Sequence, residues 1–462
     1  MELYMYDVRG IQEYIFKTNK VKEIIGASCI VEDIILNIFK EATENNHCSY
    51  EYLSGTLRIL DDDLDAEVMN YGGGMLLVLF KDNRFAQQVS IKMRKLLFEK
   101  TYSLKLAIAH VSVSGENCYQ KDYQDLRIAM EKEKRTMNMS TPVSAFPMTM
   151  NDPLTGYPLS EMMYGKRVSR ESYLKLCEEK QNKDTNFDLE FAGEENKNLI
   201  AIVHIDGNMM GNHIQREMAN VTNYKEAAIK MREISKEIQE CFVETALKNV
   251  ENNVIKFCKN VGLEISNKIP FRAVIKAGDD ITFICNSKIA LQCVTCFFES
   301  LDQFSACAGI YVTHAHFPFY RAYEYAEELC KNAKKKSRDK NGNYFDFQIC
   351  TTGSLNKFKE IRKTHYVNMD GDSFIARPYQ IPSTQMKQFI SLINQLKKHA
   401  RSKIKSLIPM FYQGNQFVKS QLMMINSREN DENKILIEDH QLNILFDVIE
   451  VLDLKWGEGF EK

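Results

Sequence analysis

The sequence is short of net charge, of long apolar runs and of paired cysteines, and each shortage removes a class of protein. Sixty Lys and Arg against 62 Asp and Glu leave a formal net charge of −2, so the chain is not basic throughout, although a local basic face stays open. No apolar stretch reaches the roughly 18 residues of a membrane span, so none is expected. The N-terminus MELYMYDVRG lacks a basic start and a long apolar centre, which predicts no signal peptide and a cytoplasmic chain. The 12 cysteines are scattered through apolar segments, as suits free thiols rather than a disulfide framework. The one CxxC, Cys293 and Cys296, has no second pair at zinc spacing. There is no GxxxxGK[ST] loop, no GxSxG elbow and no His followed by Asp. His314 and His316 share one strand face without a third ligand nearby in sequence, which favours a structural role.

What is present is a soluble-protein composition, 44% apolar over 462 residues, enough for roughly two to four domains. The most informative stretch is KAGDDITFIC, Lys276 to Cys285. Apolar segments at Phe271–Ile275 and Ile281–Cys285 flank Ala277, Gly278, Asp279 and Asp280, which reads as a β-hairpin with a tight turn. Gly278 can adopt the backbone angle such a turn needs. Alone, adjacent carboxylates at a turn are ordinary turn polarity. Asp206 changes the reading, because it ends the apolar run Leu199–Ile205 and is followed by Gly207 and Asn208. A ferredoxin-like βαββαβ unit would set that strand end beside the hairpin tip and bring three carboxylates together.

The same order of elements occurs twice. Asp7 matches Asp206, Tyr71–Met75 matches Lys276–Asp280, Ala107–His110 matches Ala306–Gly309, and Lys134 matches Lys334. Gly74 and Met75 stand where the second copy has Asp279 and Asp280, so the first copy should hold metals poorly. The expected organisation is α+β: a first ferredoxin-like copy without the hairpin carboxylates at 1–137, a linker with one helix at 138–195, a second copy at 196–354 and a helical domain at 355–462. Within the first copy the pattern predicts one helix from Glu23 to Ala42, a strand at Tyr50–Leu60 and a solvated acidic turn over Asp61, Asp62, Asp63, Asp65 and Glu67. The second copy is expected to close on an edge strand at Tyr344–Cys350. Beyond it, Ser383 and Thr384 can cap a helix whose opposite face carries Lys387, Lys397, Lys398 and Arg401, continued by Lys403 and Lys405. A second apolar helix is expected over Leu436–Leu454.

Oxygen ligands from Asp206, Asp279 and Asp280, with the Gly207 carbonyl, suit two Mg²⁺ or Mn²⁺ ions. Two such ions can activate a 3′-hydroxyl and hold a triphosphate. Lys334 is the first candidate to offset the remaining phosphate charge, and Lys331 the second; either lysine equally suits a favourable contact with a helix C-terminus.

Five segments, GIQEYIF (10–16), IIGASCIVEDI (24–34), YGGGMLLVLF (71–80), HIDGNMMG (204–211) and KAGDDITFIC (276–285), resemble the large polymerase-like subunit of type III CRISPR effector complexes, and more distantly the GGDEF and class III nucleotidyl cyclases. AEELCKNAK, Ala326 to Lys334, resembles the helix after the catalytic hairpin of the GGDEF enzymes. The resemblance implies two palm domains, the second converting ATP to cyclic oligoadenylates. It implies Asp206, Asp279 and Asp280 as metal ligands and Lys334 facing the triphosphate. Gly207, Asn208, Gly211, Ala277, Gly278 and Lys331 would line the nucleotide site. Gln12, Ser28, Gly72 and Gly73 would meet a second ATP on the first palm. Four departures stand out, the first being Asn208, which stands where some members have a second Asp and would orient ribose or a metal-bound water instead. The first palm is expected to start at residue 1, without the N-terminal HD nuclease domain often present in the family; the inter-palm zinc cysteines are missing from FPMTMNDPLTGYP, and Ala277 replaces one of two usual glycines.

The resulting expectation is a metal-dependent nucleotidyltransferase making an oligoadenylate signal in antiviral defence, with CRISPR effector subunits and guide or target RNA as partners, or a stand-alone relative and homo-oligomer. The alternatives are a cyclic dinucleotide synthase and a non-catalytic nucleotide-binding palm scaffold.

Overall fold

The computed structural model of the chain describes residues 1–18, 20–53, 55–138, 148–181, 199–265, 269–350 and 357–460. Its near-continuous apolar runs become central strands, because a strand covered on both faces has no polar side. The first sheet runs, in spatial order, Cys48–Ser49, Ala66–Gly72, Met75–Phe80, Glu2–Arg9 and Lys105–Ser112. The second runs Tyr379–Ile381, Asn343–Ile349, Ala306–His314, Leu199–Gly207, Asp280–Asn286 and Phe271–Ala277. In both, the opening strand lies between the inner hairpin strand and the strand that precedes a long helix. The register repeats to the residue: Asp7 sits opposite Met75 as Asp206 sits opposite Asp280.

Strand side chains alternate faces, and both faces are covered. Leu3, Met5, Leu77 and Leu79 join Ala201, Val203, Ile205, Ile281 and Phe283 in one core that continues into the C-terminal helices. Tyr4, Tyr6, Leu76 and Val78 join Ile200, Ile202, Val274 and Ile284 in the other. The two sheets therefore share their cores. The fold is α+β, palm-like sheets with a helical C-terminal region.

Several expectations are corrected. The helix expected over Glu23–Ala42 is two, Val21–Val31 and Ile34–Ala42. The break is at Asp33, which leaves helical angles (φ −130°) and, with the Glu32 carbonyl, accepts from the Tyr71 hydroxyl. The described residues of the stretch expected as a strand at 50–60 form none. The backbone N–H groups of Arg58 and Ile59 donate to the Glu67 carboxylate, each at 2.7 Å, rather than to a ladder. Glu67 is accordingly not part of a solvated turn: it is fully buried against Arg232, at 3.1 Å. Asn343–Ile349 is not an edge, because Tyr379–Ile381 pairs along its outer side. The helix expected at Leu436–Leu454 is regular only over Leu442–Val451, with a 3₁₀ turn after it.

Ser383 does cap the helix Thr384–Leu396, accepting from Met386 N at 3.0 Å. Four of the six basic residues expected on this face are paired within the chain. Lys397 meets Glu458 at 3.2 Å, Arg401 and Lys405 each meet Asp453 at 2.6 Å, and Lys403 meets Glu429. Of the expected linker, residues 139–147 and 182–198 lie outside the described residues, as do the boundaries at 195 and 354. Its helix Arg170–Gln181 packs against Val21–Val31. Among the described residues no helix is long and apolar enough to cross a membrane.

Arg232 joins the two copies, donating to the carbonyls of Gly55 and Val68 at 3.0 and 2.8 Å besides pairing with Glu67. Truncating one partner of a buried pair leaves an uncompensated charge, a cost of about 3–5 kcal/mol. Arg232→Met is expected to lower stability by about that amount in urea unfolding, and adding Glu67→Gln to recover part of it.

Candidate active site

The second hairpin turns through Gly278, at φ +67°, a conformation that favours glycine. Ala277 keeps a negative φ and pairs with Asp280 in the ladder, so the missing second glycine imposes no strain. The turn presents Asp279 and Asp280 beside the end of Leu199–Gly207, where Asp280 lies across from Asp206. Gly207 permits the approach, since a Cβ there would lie 2.9 Å from both the Asp279 Cβ and its Oδ2. Its N–H donates to the Asp279 carbonyl at 3.3 Å.

Lys334 arrives from the helix Phe319–Lys340. Its Nζ is 2.5 Å from Asp206 Oδ2 and donates to the Gly207 carbonyl at 2.8 Å. The first copy holds the same pair, Lys134 on Asp7. Gln12, from the first copy, reaches Asp280 Oδ2 at 3.5 Å. Asn208 turns its amide away from the hairpin, donating to Ser305 Oγ and to the Gly342 carbonyl, each at 3.0 Å. Lys331 is paired with Glu327 at 2.9 Å, one helical turn back. Gly72, the last residue of its strand, and Gly73, the first of the hairpin turn, have open space where a side chain would stand, and Gly211 is equally open. Ser28, on the helix Val21–Val31, donates to the Val274 carbonyl at 2.5 Å.

Crowding sets the electrostatics. Burial, and then the Asp206 carboxylate, push Asp279 up to about 6 and Asp280 up to about 7. Asp280 also feels Asp279 and Glu327. His204 was not singled out from the sequence, although strand alternation places it on the face of Asp206, two residues on. Its Nδ1 lies 3.1 Å from Thr282 Oγ1 and 3.4 Å from Asp280 Oδ1. Burial lowers its pKa to about 4, so it stays neutral. Tyr323 meets the His204 ring edge-on at 5.6 Å and stacks on Phe16 of the first copy at 4.6 Å.

Residues 199–343, which carry all of these groups except Asp7, Gln12, Phe16, Ser28, Lys134 and the first hairpin, match the family model of the Cas10/Cmr2 second palm domain. Over these residues the chain is similar to Cas10. Among solved structures, a Csm1–Csm4 cassette in complex with cA4 superposes with a TM-score of 0.60 at 12% identity, covering 98% of this chain and 70% of that one. The same cassette with cA3 gives 0.58 at 12% identity, over 99% and 69%. Csm1 from T. onnurineus gives 0.58 at 12% identity, over 98% and 69%. At such identity these likenesses speak for the fold. No curated protein sequence matches the chain significantly.

The Cas10-like site has the donors of a hard divalent cation but not a finished cage. Among the described residues no group of three or more His, Cys, Asp or Glu side chains is assembled for metal binding. The reason is visible in the contacts: the Lys334 ammonium holds Asp206, and the Gln12 amide lies on Asp280. Asp280 Oδ1 is buried and accepts no hydrogen bond. An orphaned carboxylate oxygen among mutually repelling carboxylates is an environment that a cation relieves.

The raised carboxylates carry a stability signature. A carboxyl whose folded pKa exceeds its unfolded value binds more protons when folded, so stability falls as pH rises from about 4 through about 7. In metal-free buffer, Asp280→Asn is expected to raise Tm by a few degrees at pH 8 and to leave it nearly unchanged at pH 4. Calorimetry at the two pH values checks the difference.

Proposed function

We propose that the chain is a metal-dependent nucleotidyltransferase that converts ATP into cyclic oligoadenylate-type second messengers in CRISPR-type antiviral defence. The observation that carries the reading is the registered pair Asp206 and Asp280, with Asp279 at the turn and Lys334 on Asp206. In this reading Asp206, Asp279, Asp280 and the Gly207 carbonyl hold Mg²⁺ or Mn²⁺. Bound there, the ions would acidify a 3′-hydroxyl and offset triphosphate charge. Lys334 would exchange its carboxylate partner for a phosphate oxygen, keeping one positive charge at the same strand end. Neutral His204 would hold the hairpin beside it without adding charge. The open Gly72–Gly73 tip would admit the second ATP to the degenerate copy. The proposed division is a degenerate palm at 1–137, a catalytic palm at 196–354 and a helical region beyond. The solved relatives include cassettes in complex with cA3, with AMPPNP and with one ATP, which supports ATP as substrate and a Csm4-like subunit as partner.

A scaffold without chemistry is favoured by one observation, the absence of an assembled three-ligand group among the described residues. The first copy argues against it. There, Lys134 and Asp7 persist after the hairpin carboxylates are gone, so a copy freed of chemistry need not keep Asp279 and Asp280.

The test is incubation with each NTP and Mg²⁺ or Mn²⁺, with and without RNA, followed by pyrophosphate assay and mass spectrometry of 3′–5′ linked products. ATP-derived oligomers are expected, falling by at least about 10²-fold in Asp279→Ala/Asp280→Ala. Undiminished product in the double variant would overturn the metal-ligand assignment.

A further inference from the structure

The hairpin's outer strand, Phe271–Ala277, ends the second sheet, so its outward backbone groups have no ladder partner. The helix Val21–Val31 of the first copy covers that edge. Buried Ser28 donates to the Val274 carbonyl at 2.5 Å. Arg272 Nη2 lies 3.8 Å from Cys29 Sγ, and Lys276 pairs at 2.9 Å with Glu32, just past the helix. One helix face thus meets the strand at 272, 274 and 276, the positions that lead into the Asp279 turn.

The covering helix is itself held from behind. At Gly26 it touches the helix Arg170–Gln181 backbone to backbone: a Cβ there would lie 1.8 Å from the Lys175 carbonyl oxygen. Buried polar groups set this contact in one register. Lys175 Nζ donates to Glu171 at 2.6 Å and to the Tyr14 carbonyl at 2.7 Å, and Ser172 donates to buried Glu23 at 2.9 Å. The Lys175–Glu171 pair lies within one helix, so the register rests on the bonds that cross, Lys175 to the Tyr14 carbonyl and Ser172 to Glu23; sliding would leave buried Lys175 and Glu23 without these partners.

We infer that these two helices are a buttress that sets the position of the carboxylate hairpin, with Ser28 as a positioning residue acting through the Val274 carbonyl rather than as a nucleotide contact. The segment expected to be a linker is then part of the second sheet's support. A hairpin tip is held only by its own turn and by what grips its strands. Its inner strand and the Asp279 carbonyl are held by Leu199–Gly207, and the outer strand sets the other side of the turn that carries Asp279.

The kinetic part of the test rests on the nucleotidyltransferase reading; the exchange part does not. Ser28→Ala removes one hydroxyl from a buried helix position and preserves helix propensity. It is expected to lower kcat roughly tenfold with KM for ATP unchanged, and to speed amide hydrogen exchange in peptides spanning 271–286 but not in 199–207. Ser28→Thr, which keeps the donor, should restore both, and Glu32→Gln should speed exchange in the same peptides. A raised KM with unchanged exchange would make Ser28 a nucleotide contact and overturn the inference. If the parent protein makes no product, the proposed function fails, and unchanged exchange at 271–286 would overturn the buttress on its own.

Discussion

Two carboxylates placed opposite each other on adjacent antiparallel strands repel, and the candidate site is arranged around that cost. Asp206 and Asp280 occupy one register position, and Asp279 follows at the turn. No apolar contact makes this favourable. The sheet enforces it, because the central strands are covered on both faces and a one-residue slip would turn every buried side chain outward. Lys334 relieves Asp206, Gln12 offers Asp280 an amide, and the remaining strain appears as carboxyls that retain protons to about 6 and about 7. The core thus contributes the energy that holds like charges together.

The repeated copy acts as an internal control on that argument. Asp7 with Lys134 reproduces Asp206 with Lys334, on the same strand and after the same helix. Opposite Asp7, however, stands Met75, so the first hairpin carries no repulsion and needs no cation. The acid–lysine pair is accordingly a property of the fold. The doubled hairpin acid belongs to one copy only.

Much of this was legible in the sequence because the signals were local. A long apolar run, a glycine turn and a capped helix each act within a few residues, and Leu199–Gly207, Gly278 and Ser383 behave as their types dictate. The misreadings share a cause: distant side chains took over backbone groups or buried charges. Glu67 looked like part of an acidic turn until Arg232, far along the chain, enclosed it, and the same carboxylate drew Arg58 and Ile59 away from a strand. Asp33 broke a regular apolar pattern through Tyr71. The basic face of the C-terminal helices found its acids at Glu429, Asp453 and Glu458. His204 was within reach, since alternation alone puts it on the face of Asp206, but a neutral buried histidine has no sequence mark of its own.

The placement of the two copies also bears on how such a site can change state. Gln12 reaches Asp280 and Phe16 stacks on Tyr323 from one short helix, while Ser28 and Glu32 hold the outer hairpin strand from the next. All four belong to the first copy, and all four act on the hairpin or the helix behind it. Any rotation of the first copy relative to the second would therefore move the amide on Asp280 and the grip on Val274 together. Shared cores resist such rotation, since sliding one sheet would separate Leu77 and Leu79 from the cluster that includes Val203 and Phe283. A site built in this way is coupled to the first copy by packing, whatever ligand either copy holds.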